Sequence, residues 1–205
     1  MTETTTPAQI MFTQAVRAEQ ERLGSRRGFA QLERDGAFRG AITDDLRAFL
    51  AERDSAFLAT ASAAGQPYVQ HRGGPKGFLR PLSDRRIGFA DFAGNRQYIT
   101  IGNLSENPRA FLFLIDFATQ TRVKLWGRLT AVEDQPGLTA KLAVEGYRAR
   151  VERVLLFDLE AWDINCKQHL PLLFDETVVK GVVDKLTLQI SALEAEVERL
   201  KSGKG

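Results

Sequence analysis

Between residues 56 and 129 the chain reads as a run of short β-type segments, spaced too closely for helices to alternate with them. Ala56-Phe57-Leu58-Ala59-Thr60-Ala61 is short and apolar, Ala64-Gly65 supplies a turn, and Tyr68-Val69-Gln70-His71 returns as a hairpin partner. Further β-type runs are predicted at residues 78–82, 86–91 and 98–101, with a single helical turn or loop over 103–108. Residues 110–115 are almost wholly apolar, the pattern of a strand buried on both faces. From residue 122 to 129, Val123, Leu125, Gly127 and Leu129 alternate with Lys124, Trp126 and Arg128. One more strand is predicted at 154–159.

Helical patterns flank this region. Residues 7–23 read as one helix, with Pro7 suited to the first turn and Gly24 to the stop, followed by a basic link, Ser25-Arg26-Arg27-Gly28. Residues 43–53 read as a second helix: Thr43 caps it, Asp44 and Asp45 suit the positive end of its dipole, and Leu46, Phe49 and Leu50 share a face. Another helical segment is predicted over 138–150. A final helix from Glu176 carries Val179, Val182, Leu186, Ile190, Leu193, Val197 and Leu200 in steps of three and four. This helix either packs on the rest of its chain or pairs with a second copy. The pattern predicts a mostly β, α+β protein: an antiparallel split β-barrel with helical additions, not a doubly wound sheet. Three segments follow: a helical extension at 1–54, the barrel at 55–175 and the amphipathic helix at 176–205.

A length of 205 residues, 43% hydrophobic and 26% charged, fits one globular domain with a real core. The net charge of +2 gives no bulk attraction for nucleic acid or membrane, so neither is expected as a partner. A bound phosphate would need a local basic cluster instead. The single cysteine, Cys166, allows no internal disulfide, and the first seven residues carry an acid and no apolar run. A cytoplasmic setting is the expectation. Cys166 and His169 are three apart, but no further Cys or His completes a tetrahedron, so no metal site is expected. Neither a dinucleotide fingerprint nor a nucleophile elbow is present.

Three clusters carry candidate chemistry. In the first, Val69-Gln70-His71-Arg72 leads into Gly73-Gly74-Pro75-Lys76-Gly77. It is either a phosphate cradle, with glycine N–H groups and cations within reach of a ligand, or a solvated turn. The second, after the strand ending at Ala90, is Asp91-Phe92-Ala93-Gly94-Asn95-Arg96-Gln97-Tyr98, either a donor-rich ligand loop or a turn with a surface arginine. Composition alone favours the turn in both. The third, Ala161-Trp162-Asp163-Ile164-Asn165-Cys166-Lys167-Gln168-His169, places an aromatic ring and amides just beyond a strand. A frame for a planar heterocycle and a capped loop with Trp162 in the core are equally compatible with it.

In order and spacing, these clusters resemble the pyridoxamine 5′-phosphate oxidase-like family of FMN-binding split barrels. The elements that carry the resemblance are the hairpin from Phe57 through Pro67, Gly88-Phe89-Ala90-Asp91 with Gly94-Asn95-Arg96-Gln97, Asn107-Pro108 before the apolar strand, and Arg122-Val123-Lys124-Leu125-Trp126-Gly127. The likeness is greater still to a bacterial subfamily of flavin-nucleotide-binding proteins. There Gln70-His71-Arg72-Gly73-Gly74-Pro75, Gly94-Asn95-Arg96-Gln97-Tyr98-Ile99 and Trp162-Asp163-x-Asn165-Cys166-x-Gln168-His169 recur in similar form.

The resemblance implies a homodimer with FMN in a cleft between protomers. It implies cofactor contacts from Val69, Gln70, His71, Arg72, Gly73, Ala90, Asp91, Asn95, Arg96, Gln97, Arg122, Trp162, Asn165 and Gln168. The oxidases' phosphate-gripping Arg-Lys pair falls on Arg96 and Gln97, so one charge is lost. Their ring-contacting Gln falls on Arg122, which would bring a cation near the reactive ring. Trp162 and residues 165–169 would stand in for groups that the oxidases supply late in the chain. The oxidases' substrate-binding residues have no recognisable counterpart, so pyridoxamine-phosphate oxidation does not follow. The expected function is an FMN-dependent oxidoreductase working with a nicotinamide cofactor or another small-molecule substrate. A non-catalytic flavin-binding, sensing or stress-associated module is the alternative. Deazaflavin, or haem on His71 or His169, is a third option.

Overall fold

The computed structural model describes residues 5–144, 146–165 and 167–203. Contacts divide the chain into two compact units. One comprises residues 1–116 with 121–167, and the other 117–120 with 168–205.

The first unit begins with helices. Instead of one helix over residues 7–23 there are two, α1 (Pro7–Met11) and α2 (Gln14–Arg22). Thr6 closes a capping box on α1, and the Thr13 hydroxyl accepts the Val16 N–H to start α2 afresh, so the break is a capping event. The basic link is also helical, α3 (Arg26–Arg34). Its Arg26 and Glu33 join at 2.6 Å, and Arg17 of α2 reaches the same carboxylate at 3.1 Å. Helix α4 (Asp44–Ala51) matches the sequence reading: Thr43 caps it, and Leu46 and Leu50 are buried.

Seven strands follow: β1 (Ser55–Ala61), β2 (Pro67–Gly73), β3 (Arg80–Pro81), β4 (Arg86–Phe92), β5 (Arg109–Asp116), β6 (Thr121–Val132) and β7 (Val151–Asn165). They form one antiparallel sheet in the order β2-β1-β5-β6-β7-β4-β3. It is the split barrel that the alternation in sequence predicts. Its inner face carries Leu58, Leu112, Leu114, Val123, Leu125, Phe89 and Phe157, closed off by Leu46, Leu50, Phe78 and Leu79. Strands β6 and β7 run long because a bulge at Trp126/Gly127 bends them. Only glycine fits there, since a Cβ on Gly127 would lie 2.2 Å from the Asp158 carbonyl oxygen.

Between β4 and β5 lies α5 (Ile99–Glu106). It replaces the β-type run expected at 98–101 and extends the single turn expected after it. Asn103 Nδ2 donates to the Thr60 hydroxyl at 3.0 Å, and Asn107 Nδ2 to the Ala61 carbonyl at 3.2 Å, tying the middle and the C-terminal cap of this helix to β1. Between β6 and β7, α6 (Pro136–Leu142) is shorter than the helix expected over 138–150.

In the second unit, α7 (Glu176–Ser202) starts on an Asp175 cap and ends beside Arg199 and Lys201, as the dipole favours. No helix of the described residues is long and apolar enough to cross a membrane.

Candidate functional site

Strand β3 covers only Ile87 and Gly88 of β4, so beyond Gly88 that strand is an edge. The other edge is β2. A cleft lies between these two edges and under the start of α5, lined by Tyr68, Gln70 and Arg72 of β2, Asp91 and Phe92 of β4, residues 94–101 and Glu152. It is the split in the barrel. It unites the first two clusters of the sequence, since Gln70, Arg72, Asp91, Asn95, Arg96 and Gln97 all line it.

An ion pair spans the split. Arg72 of β2 donates to the Asp91 carboxylate of β4, with their side chains 13% and 9% exposed. Such burial makes each charge depend on the other. Arg153 of β7, directly opposite Asp91 in register, lies 3.9 Å from the same carboxylate and 3.2 Å from Glu133. The β4–β7 register slips between Asp91 and Phe92, and Glu152 sits at the slip. Its carboxylate takes Arg150 at 3.0 Å and Arg96 at 3.8 Å. Four guanidinium groups thus meet three carboxylates. The Arg72 Nε is buried without a hydrogen-bond partner among the described residues.

The loop from Ala93 to Tyr98 gives the cleft its open side. Arg96 and Tyr98 both adopt left-handed backbone, at φ 60° and 56°, a conformation that non-glycine residues hold only under local constraint. The constraint is visible: Arg96 Nε donates to the Tyr98 hydroxyl at 3.0 Å, and the Arg153 guanidinium lies 5.2 Å above the Tyr98 ring. The bond to Tyr98, with Glu152 nearby, pushes the Arg96 guanidinium still further above its ordinary value. The rest of its side chain is 65% exposed, leaving donors free to meet an anion. Gln70 is held by the Thr100 hydroxyl of α5, which donates to its Oε1 at 3.0 Å.

The remaining predicted site residues go elsewhere. Val69 and His71 point out of the opposite face of β2, and the His71 ring joins the Ser55 hydroxyl at 2.8 Å. Arg122 and Asn165 are register partners on that outer face, away from the cleft. Ala90 is buried within the sheet. Gly73 ends β2, where a Cβ would meet the His71 ring at 3.0 Å. Of the two readings of the glycines after it, a cradle or a turn, the backbone bonds favour the turn. Gly74 N–H donates to the Asp54 carbonyl at 3.0 Å and Gly77 N–H to the Arg53 carbonyl at 2.9 Å, while Lys76 lies 3.5 Å from Glu52. These glycines let the loop pack tightly on the end of α4. Trp162 is likewise a core residue. It lies within β7, its ring is 3% exposed, and its indole N–H donates to the Ala41 carbonyl at 2.8 Å. Gln168 follows in a turn of the second unit, and Cys166 lies outside the described residues.

Sequence reasoning placed Tyr98 in the second cluster without giving it a role, and missed Tyr68, Thr100, Glu133, Glu152 and Arg153. The signal for two of them was present. Glu152 and Arg153 are adjacent charges directly before the apolar run of β7, which the sequence reading began only at Val154.

The family model for pyridoxamine 5′-phosphate oxidase matches residues 42–185, well over half of the chain. The chain belongs to the pyridoxamine 5′-phosphate oxidase family. No curated protein matches it in sequence. Among solved structures, an FMN-binding protein from Syntrophomonas wolfei is 16% identical, with 70% of this chain and 97% of that one covered at a TM-score of 0.49. HupZ of Group A Streptococcus is 18% identical, with coverages of 65% and 99% and a TM-score of 0.47. A pyridoxamine 5′-phosphate oxidase-related, FMN-binding protein from Nostoc punctiforme is 15% identical, with coverages of 58% and 76% and a TM-score of 0.40. In this member of the oxidase family, the matched region contains the whole split and every residue that lines it.

Proposed function

We propose that this oxidase-family barrel binds FMN, with the phosphate on the loop from Gly94 to Gln97. The observation that carries the reading is the guanidinium-rich split, where the exposed donors of Asn95, Arg96 and Gln97 converge beside Gln70 and Arg72. The residues fit the group. A phosphate needs convergent cationic and amide donors, and this loop offers them in a constrained backbone. The buried, unpartnered Nε of Arg72 adds a donor at the inner wall. FMN supplies hydride or electron transfer, and the protein supplies position and field. Arg96 holds the phosphate by charge-assisted hydrogen bonds, and Gln97 adds a neutral donor.

The reading includes a homodimer built on the outer face of the sheet. That face carries Phe57, Val69, Phe111 and Phe113, with Phe57 37% and Val69 59% exposed. Apolar aromatic surface of this kind favours a protein partner over water. Arg122 and Asn165 lie on the same face. In a dimer they would approach a cofactor from the interface, as the family resemblance implies.

Arg96→Ala is expected to weaken FMN binding about tenfold to a hundredfold in a fluorescence titration. Unchanged affinity would sink the assignment of the phosphate to this loop. The absorption spectrum of the purified protein distinguishes flavin from haem. Reduction of the bound flavin by a nicotinamide cofactor, followed by reoxidation, separates an oxidoreductase from a storage or sensing module.

A further inference from the structure

The second unit contains a helix whose exposed residues follow a strict heptad. Steps of four and three lead from Val179 through Val183, Leu186, Ile190, Leu193 and Val197 to Leu200. This is the a/d pattern of a coiled coil sustained over more than three heptads. Val182, which the broader sequence stripe includes, falls one place outside the seam. All seven seam residues are exposed, between 46% and 66%. A helix of 27 residues is about 40 Å long, enough for a stable pairing surface but too exposed to be indifferent to a partner.

The composition of the seam selects the partner. The a positions are Val183, Ile190 and Val197, all β-branched. Three of the four d positions are Leu186, Leu193 and Leu200, the fourth being Val179. β-Branched residues at a with Leu at d favour two parallel strands over trimers or tetramers. The flanking charges agree. In a parallel pair, Glu196 at g faces Lys201 at e of the other helix, and Gln189 faces Glu194. No like-charged g–e pair occurs. In the antiparallel pairing that keeps the a/d layers filled, Lys180 would instead lie opposite Lys201.

We infer that α7 forms a parallel, in-register, two-stranded coiled coil with α7 of a second copy of this chain. The inference is independent of the cofactor. Identical d residues then meet across the two-fold axis, at the Cα separation of about 6 Å that a disulfide accepts.

The test uses the full chain with Cys166→Ser as background. Leu200→Cys places a thiol at d, and Ala195→Cys places one at f, on the far side of the helix. Under mild oxidation Leu200→Cys is expected to form a linked dimer at least about tenfold faster than Ala195→Cys. The comparison also controls for dimerisation through the barrel. That would bring both tails together without distinguishing d from f, and equal rates overturn the inference. Mixing the Val183→Cys and Leu200→Cys chains gives the orientation, because these two positions share a layer only in the antiparallel pairing. Homodimers of each support the parallel pair, and a dominant 183–200 cross-link overturns it. The FMN titration of these variants reads the other proposal separately, because a coiled coil can fail with cofactor affinity intact, and the reverse.

Discussion

Arg72 and Asp91 stand on strands that share no hydrogen bonds, yet their side chains meet in a place from which water is nearly excluded. Removing one partner leaves the other charged and buried. Asp91→Asn is therefore expected to lower stability by about 3–5 kcal/mol in urea denaturation. The double replacement Arg72→Met with Asp91→Leu is expected to recover most of that loss, because it removes both desolvation costs. A single-mutant loss under about 1 kcal/mol would mean that the pair does not hold the split. At this scale the sequence was legible in part. Gln70, Arg72, Asp91, Asn95, Arg96 and Gln97 were found because donors cluster beside glycine turns. Trp162 and the glycines after Arg72 were left open between a ligand role and a packing role for one shared reason. A ring or a glycine that serves packing looks, in sequence, like one that serves a ligand. Only the bond from the indole to Ala41, and the atoms waiting where a Cβ would go, distinguish them.

Among the elements, the α2–α3 pair depends most openly on charge. Glu33 accepts from Arg26 and lies beside Arg17, and its carboxyl is held below the usual glutamate range first by the Arg26 hydrogen bond and then, against the opposing effect of burial, by Arg17. A folded value below the unfolded one stabilises the fold fully above the ordinary range near pH ~4.3, and the contribution is lost as pH falls through the lower folded value. Glu33→Gln is expected to flatten the acid limb of the stability-versus-pH curve below that range, with the wild-type chain the more stable at neutral pH. Identical acid limbs would remove Glu33 from the account. The element boundaries show where local pattern gives out. Ile99-Thr100-Ile101 reads as strand by its β-branched residues, but the tertiary bonds of Thr100 to Gln70 and Asn103 to Thr60 hold the segment as helix. The long β7 was cut short in sequence because its buried charges interrupt the apolar run.

For the whole molecule, the proposed cofactor binding would be linked to folding. FMN at a hundred times its dissociation constant is expected to stabilise the fold by about 2.7 kcal/mol, seen as a rise in melting temperature. Riboflavin, which lacks the phosphate, is expected to give a smaller rise at the same concentration. Equal rises would place the affinity in the ring and not in the loop at Arg96. The architecture as a whole was the most legible feature, because a series of closely spaced short β-type runs is a global pattern that no single misread segment can erase. Which strand edges frame the split was not legible. It depends on which strands fail to pair, and β3 is only two residues long.

That shortness has a further consequence. An open sheet offers two unpaired edges on which a foreign strand could polymerise. Here one edge is β2, which begins at Pro67, and the other is the short β3, Arg80 and Pro81, continued by β4 beyond Gly88. Proline has no N–H to donate, and a two-residue template cannot seed a ladder. A proline on each edge thus removes one donor from the row that a foreign strand would need, so a barrel left unclosed is a poorer template for amyloid-type growth.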